Sequence, residues 1–166
     1  MKIGGITVTP PSEKFLVLER EGGDIIFRAL AVPDFDEFEA QCPEPTAPKR
    51  MVKGSWEIDT DNKPYREAVA QYTERKLAYL AIRTLEPSEI EWETVDINKP
   101  STWRNWREDL HKAGVTNVEL NHLMNLVWEA NALDEEKLKA ARESFALGRQ
   151  VVPSEPSSQN SEPQSS

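Results

Sequence analysis

The sequence is poor in the residues that build most catalytic and metal sites. It contains one cysteine and two histidines among 166 residues. The single cysteine, Cys42, excludes an intramolecular disulfide and a zinc site built from cysteine ligands. Cys42 has no nearby histidine to activate it as a nucleophile. His111 and His122 lie on different predicted helices and lack the spaced partners typical of zinc sites. We therefore expect no enzymatic activity, no metal and no cofactor.

Long apolar runs are also missing. No window approaches the roughly 18 apolar residues of a membrane-spanning helix. The first residues lack the apolar stretch of about 7–15 residues found in secretory signals. The net charge is −9, and no short window holds more than three Lys or Arg, so nonspecific nucleic-acid binding gains little from counterion release. We expect a soluble intracellular protein that binds neither membranes nor nucleic acids.

The composition that remains indicates one folded domain with polar connections. Hydrophobic residues make up 38 % of the chain and charged residues 30 %, which favours a modest core. The carboxylates alternate with Lys and Arg, as on solvated helix faces, so no acid–base pair stands out. Residues 59–62 begin like a calcium-binding loop, but the glycine and glutamate that such a loop needs further on are absent.

Residues 1–32 are predicted to form a β-hairpin subdomain. The segments 15–18 and 24–30 are rich in β-branched and aromatic residues and flank Gly22 and Gly23. A Gly-Gly pair permits the positive φ angles of a tight hairpin turn. A short earlier strand is predicted at residues 6–8. The sequence thus predicts a small antiparallel sheet at this end of the chain.

Residues 33–63 are predicted to contain a short helix and a Pro-rich linker. Asp34 can cap the helix, whose first turn is acidic. Pro43, Pro45 and Pro48 then interrupt regular structure, which makes residues 41–62 a linker by composition. Trp56 and Ile58 are expected to pack this linker against the core.

Residues 64–148 are predicted to form a helical domain of about four helices. Pro64 opens a helix that extends to residue 85, and alternation at residues 90–97 predicts a short edge strand. Pro100 opens the next helix, which Gly114 ends. Thr116 and Glu119 then form a capping box at the start of a further helix.

The end of the chain carries two further predictions, which complete an α+β fold class. Asp134 is expected to cap a last helix that Gly148 ends. Residues 149–166, rich in Ser and Pro, cannot bury enough apolar surface to fold and are predicted to be disordered.

The five tryptophans allow two interpretations, because tryptophan is favoured both in cores and at interface hot spots. Trp103 and Trp106 share a helix face and could cover the core together with Trp92. Alternatively, this face and the following helix meet a partner protein. The predicted partner-binding residues are Trp103, Trp106, Leu123, Val127 and Trp128.

Two stretches of the C-terminal half, LEPSEIEWETVDINKPSTWRNWREDL and EANALDEEKLKAARESFALG, resemble the tail assembly chaperones of long-tailed bacteriophages and prophages. The resemblance covers roughly residues 1–148 and rests on overall pattern. It implies a non-catalytic factor of the host cytoplasm. Such a factor binds the tape-measure protein, keeps it soluble and helps tail-tube protein polymerise around it. Many family members also occur in a longer form made by ribosomal frameshifting.

Two other classes stay open. The chain could be a structural tail or neck subunit that self-assembles, with the N-terminal hairpin supplying β-pairing between subunits. An enzyme with a hidden carboxylate site would require a deep pocket with converging carboxylates of shifted pKa.

Overall fold

The computed structural model describes residues 1–131 and Lys139, and within these residues the fold is α+β, as predicted. Residues Met1–Leu133 belong to one compact unit. The predicted last helix at residues 134–148 and the predicted disordered tail at 149–166 lie outside the described residues. The strands are β1 Lys2–Ile3, β2 Ile6–Thr7, β3 Lys14–Leu18, β4 Ile25–Ala29, β5 Lys49–Val52 and β6 Ser55–Ile58; the helices are α1 Asp36–Gln41, α2 Lys63–Thr84, α3 Trp106–Lys112 and α4 Asn117–Ala130.

The predicted N-terminal hairpin is confirmed as β3 and β4. The strands pair antiparallel, with Leu16 opposite Phe27, and Gly23 in the connection has a φ of 123°. Leu18, Phe27 and Ala29 are buried on the inner face, because side chains alternate between the two faces of a strand. The shorter β1–β2 hairpin contains the early strand predicted at residues 6–8.

The helix α1 begins one residue later than an N-cap at Asp34 predicts. Phe35 occupies the N-cap position, and the Asp34 carboxylate accepts a hydrogen bond from the Asp36 N–H at 3.1 Å. The Asp34 side chain therefore satisfies a free amide of the first helical turn, although Asp34 lies one residue before the N-cap position. The helix buries Phe38 completely.

The predicted linker at residues 41–62 contains a β-hairpin, so this prediction was wrong in part. β5 and β6 pair with Met51 opposite Trp56. Lys53 and Gly54 join them with φ angles of 49° and 86°, the two positive values of a type I′ turn. Trp56 and Ile58 are 67 % and 66 % exposed, so they do not pack against the core as expected.

The long helix α2 is confirmed, with Asn62 as its N-cap and Pro64 in its first turn. It has 22 residues and is therefore about 33 Å long. Its burial is confined to the C-terminal turns, where Ala78–Ile82 and Thr84 are buried. Leu77 is 41 % exposed. The first turns of α2 thus extend beyond the core, and Tyr72 is the first large side chain of the helix to pack on it, with its ring centroid 5.3 Å from that of Phe38.

The edge strand predicted at residues 90–97 is absent from the structure, which has an irregular segment there. Side chains form the hydrogen bonds with the backbone of this segment that a neighbouring strand would otherwise form. The Asp109 carboxylate accepts hydrogen bonds from the Thr94 N–H at 2.8 Å and the Thr94 hydroxyl at 2.7 Å. The Trp103 indole N–H lies 3.2 Å from the carbonyls of Asp96 and Ile97. The alternating apolar residues therefore point to the core from a loop.

The predicted capping box of α4 is confirmed in both directions. The Glu119 N–H donates to the Thr116 hydroxyl oxygen at 3.3 Å, and the Thr116 N–H donates to the Glu119 carboxylate at 2.9 Å. Arg20, from the loop after β3, also donates to both Glu119 oxygens at 2.8 and 2.9 Å. The cap that starts α4 thus also ties the helix to the hairpin.

The core lies between the β3–β4 hairpin, α1, the C-terminal half of α2 and α4. Its aromatic centre is Trp103, whose ring centroid lies 5.2 Å from that of Tyr79 and 6.0 Å from that of Phe38. Asn131, at the end of α4, accepts from the Val32 N–H and donates to the Thr84 hydroxyl. Three elements therefore meet around one satisfied polar cluster.

Candidate functional site

Four of the five predicted partner-binding residues belong to the core. Trp103, Leu123 and Val127 have no exposed surface, and Trp106 is 4 % exposed. Only Trp128 is half-buried. The helical spacing correctly placed these residues on shared faces, but those faces turn inward. The interpretation of the tryptophans as core is the one that fits the structure, and the predicted partner-binding face is not an exposed surface.

Most of the exposed large apolar side chains lie on the hairpins, with Leu77 on α2 and Val118 on α4 as isolated exceptions on the helices. Each of the three hairpins described in the chain presents large apolar side chains to solvent. They are Ile3 and Ile6 on β1–β2, Phe15, Val17 and Ile26 on β3–β4, and Met51, Trp56 and Ile58 on β5–β6. Contiguous apolar patches of this kind mark interaction sites more often than isolated exposed residues do.

The β5–β6 hairpin has one apolar face, which we call the Trp56 face. It consists of Met51, Trp56 and Ile58 with Lys49, because directly opposite residues of a hairpin share a face. Trp56 is the most exposed large side chain of the three, at 67 %. The sequence had singled out Trp56, but as a residue that packs the linker against the core.

The outer face of the β3–β4 hairpin is the second apolar surface. Phe15, Val17 and Ile26 are each more than half exposed. Arg28 stands opposite Phe15 and forms a bidentate ion pair with Glu13, with its Nη2 atom 2.9 Å from the Glu13 carboxylate. This face therefore combines apolar side chains with a paired guanidinium.

A cleft of about 540 Å³ lies between the end of β4, α1 and the C-terminal end of α2. Its lining includes two arginines and four carboxylates. Arg83 forms ion pairs with Glu37 and with Glu86, the latter at 3.4 Å, and the Tyr79 hydroxyl lies 3.5 Å from Glu37. The contacts of Arg83 therefore form a structural ion-pair network in the cleft.

The residues with potential nucleophilic or metal-binding chemistry are dispersed. Cys42 is buried at 5 % exposure, and His111 holds the Val115 carbonyl at 2.8 Å through Nδ1. Asn62, part of the calcium-like stretch, caps α2. Within residues 1–131 and Lys139, no group of three or more Cys, His, Asp or Glu side chains is arranged to hold a metal ion.

Among the described residues, three carboxylates have lowered pKa values, Asp96, Asp109 and Glu119. The last two fix backbone segments of the fold. The bidentate hydrogen bonds from Arg20, with the Thr116 N–H, lower the pKa of Glu119 to about 2. Burial alone would raise the pKa of Asp109, but hydrogen bonds from Thr94 and neighbouring amides lower it. Both groups are ionised acceptors that fix backbone segments, which is a structural use of a carboxylate.

Family models, curated protein sequences and solved structures give no match to this chain. No helix within the described part of the chain is both long and apolar enough to cross a membrane.

Proposed function

We propose that this chain is a non-catalytic tail assembly chaperone of a long-tailed bacteriophage or prophage. It binds the tape-measure protein in the host cytoplasm, keeps it soluble and promotes assembly of the tail tube around it. Two features support the proposal. The sequence resembles this family over roughly residues 1–148, and the described chain offers apolar faces on exposed hairpins.

The exposed hairpins are the observation that carries the proposal. A chaperone for a long helical protein must offer apolar surface while staying dissolved itself. Here the apolar side chains lie on short two-stranded sheets. The chain that carries them has a net charge of −9. A net charge of this size favours solubility of the chain and of a complex that it forms.

Co-expression with the tape-measure protein encoded by the same phage genome tests the proposal. We expect the tape-measure protein to stay soluble and to co-purify with the tagged chain. Leu123→Asp is the negative control, because a carboxylate at a site without exposed surface unfolds the chain. A tape-measure protein that is equally insoluble with the wild-type chain and with Leu123→Asp would refute the proposal.

A structural tail or neck subunit is the second candidate, favoured by the unpaired edges of the sheets. Each described sheet has only two strands, so its strands have outer edges that another subunit could extend. On β4 this edge is partly occupied, because the Arg28 N–H and carbonyl both form hydrogen bonds with the Ser88 hydroxyl. Light scattering on the purified chain separates the two functions. A stable ring formed without tape-measure protein supports the structural subunit, and a monomer or small oligomer supports the chaperone.

A further inference from the structure

We infer that the Trp56 face binds an acidic amphipathic segment of a partner protein. The inference deepens the proposed function by naming the contact surface and the chemistry of its partner. It rests on the proposed function only where the partner is taken to be the tape-measure protein. The preference for acidic and apolar chemistry follows from the hairpin itself.

The chain leaves the Trp56 face uncovered. Met51, Trp56 and Ile58 are 56 %, 67 % and 66 % exposed. Beyond the pairing of β5 with β6, the hairpin packs on no other described element to a comparable extent. An isolated two-stranded hairpin is marginally stable in water. A partner that covers one face of the hairpin therefore stabilises it as well as binding it.

The β5–β6 hairpin is locally basic. Residues Lys49–Ile58 hold three cationic side chains and one carboxylate, in a chain whose net charge is −9. Arg50 lies 3.7 Å from Asp59. Among the described residues, neither Lys49 nor Lys53 takes part in an ion pair. Lys49 belongs to the Trp56 face and Lys53 stands at the turn. The apolar face is thus bordered by two cations that favour a partner with carboxylates beside its apolar stripe.

A second copy of the chain brings its whole net charge of −9 against another −9, so long-range repulsion opposes its approach. A short segment with a few carboxylates meets much less of this repulsion and is attracted locally by Lys49 and Lys53. The other large apolar surface of a second copy, the outer face of β3–β4, has Arg28 opposite Phe15 and offers no complement to Lys49. A nucleic acid meets the same overall repulsion. A partner protein segment with an apolar stripe and flanking Asp or Glu matches both properties of the hairpin.

Two synthetic amphipathic helical peptides test the inference on the full chain. They share one Leu and Ile stripe and differ in their flanking residues, Glu in one and Lys in the other. Fluorescence anisotropy of the labelled peptides gives their dissociation constants. Because the chain holds four other tryptophans, the contact is reported by the part of the emission change on peptide binding that Trp56→Ser removes. We expect the Glu peptide to bind about tenfold more tightly, since each exposed ion pair adds only a few-fold in affinity.

Three variants locate the site. Trp56→Ser should weaken binding of the Glu peptide by about tenfold or more, as expected for an aromatic hot spot. Lys49→Glu combined with Lys53→Glu should reverse the preference toward the Lys peptide. Phe15→Ser is the matched control, because Phe15 is 59 % exposed on the other hairpin, and it should leave binding within about twofold. Circular dichroism checks that each variant is folded.

Other outcomes overturn the inference. Equal affinity for both peptides would show that the surface does not select an acidic partner. If Phe15→Ser weakens binding of the Glu peptide and Trp56→Ser does not, the binding site lies on β3–β4. A dimer in light scattering that Trp56→Ser abolishes makes the occupant a second copy. Tighter binding of a single-stranded 20-nucleotide DNA than of the Glu peptide makes it a nucleic acid. If Trp56→Ser still solubilises the tape-measure protein, the inferred surface is wrong while the proposed function stands.

Discussion

Replacing Trp103 by Ala should destabilise the protein more than any change to an exposed tryptophan. The side chain has no exposed surface, contacts the rings of Phe38 and Tyr79, and donates its indole N–H to two loop carbonyls at 3.2 Å. Removing a buried tryptophan costs about 3–5 kcal/mol. The lost hydrogen bonds place the effect toward the upper end of that range, because they leave acceptors of the 90–97 segment without their donor.

The magnitude can be measured by urea unfolding followed with circular dichroism at 222 nm. Total stabilities of single domains are about 5–15 kcal/mol, so Trp103→Ala removes a large share of the stability. The melting temperature should fall by about 10–20 °C, from roughly 3–5 °C per kcal/mol for a unit of this size. Trp56→Ala is the matched control, and its 67 % exposure predicts a change within about 0.5 kcal/mol. A loss below about 1 kcal/mol for Trp103→Ala would refute the placement of Trp103 in the core.

Three further predictions concern the polar contacts that fix the helices. Because Arg20 and Thr116 lower the pKa of Glu119 from 4.5 to about 2, the unfolded chain binds more protons between these values, and the free energy of unfolding should fall as the pH drops from about 5 to 2. Glu119→Gln should flatten this slope in urea melts at several pH values, and an unchanged slope would contradict the role of the Arg20 contact. Thr116→Ala should cost about 1 kcal/mol and Thr116→Ser much less, and equal losses in the two variants would argue against a capping hydroxyl. Asp109→Asn should cost about 1–3 kcal/mol and speed amide exchange at Thr94, and an unaltered Thr94 exchange rate would contradict the hydrogen bond to Asp109.

Features set by neighbours in the sequence were predicted well. The capping box of Thr116 and Glu119 depends on residues three apart, and Gly22 and Gly23 specify a turn between two adjacent strands. The long helix after Pro64 also follows from local preferences. Arg20 could not be predicted as the partner of Glu119, since nothing local signals a contact between residues 99 positions apart.

The errors arose where composition or periodicity was read without knowledge of the surroundings. The Pro-rich stretch that contains Pro43, Pro45 and Pro48 ends directly before β5. Lys53-Gly54 is also a weaker turn signal than Asn-Gly or Asp-Gly. The β5–β6 hairpin was therefore predicted to be a linker. The alternation at residues 90–97 resembles a strand, but its hydrogen-bond partners are the side chains of Asp109 and Trp103.

The candidate site was missed for a related reason. Helical spacing predicts which side chains share a face, but the elements that pack against that face decide whether it is covered. Trp103 and Val127 are covered because the β3–β4 hairpin and α2 pack against the segments that carry them. No described element packs against the Trp56 face to a comparable extent. A tryptophan in a Pro-rich stretch was the available signal, and it was assigned to the core.

Hydrogen exchange on the co-expressed complex shows whether this chain binds its partner through the β5–β6 hairpin. Exchange of the wild-type chain alone and in the complex is compared residue by residue. We expect new protection in Lys49–Val52 and Ser55–Ile58, with little change in α4, whose core face is already buried. New protection centred on α4, or none in the β5–β6 hairpin, would contradict binding through this hairpin.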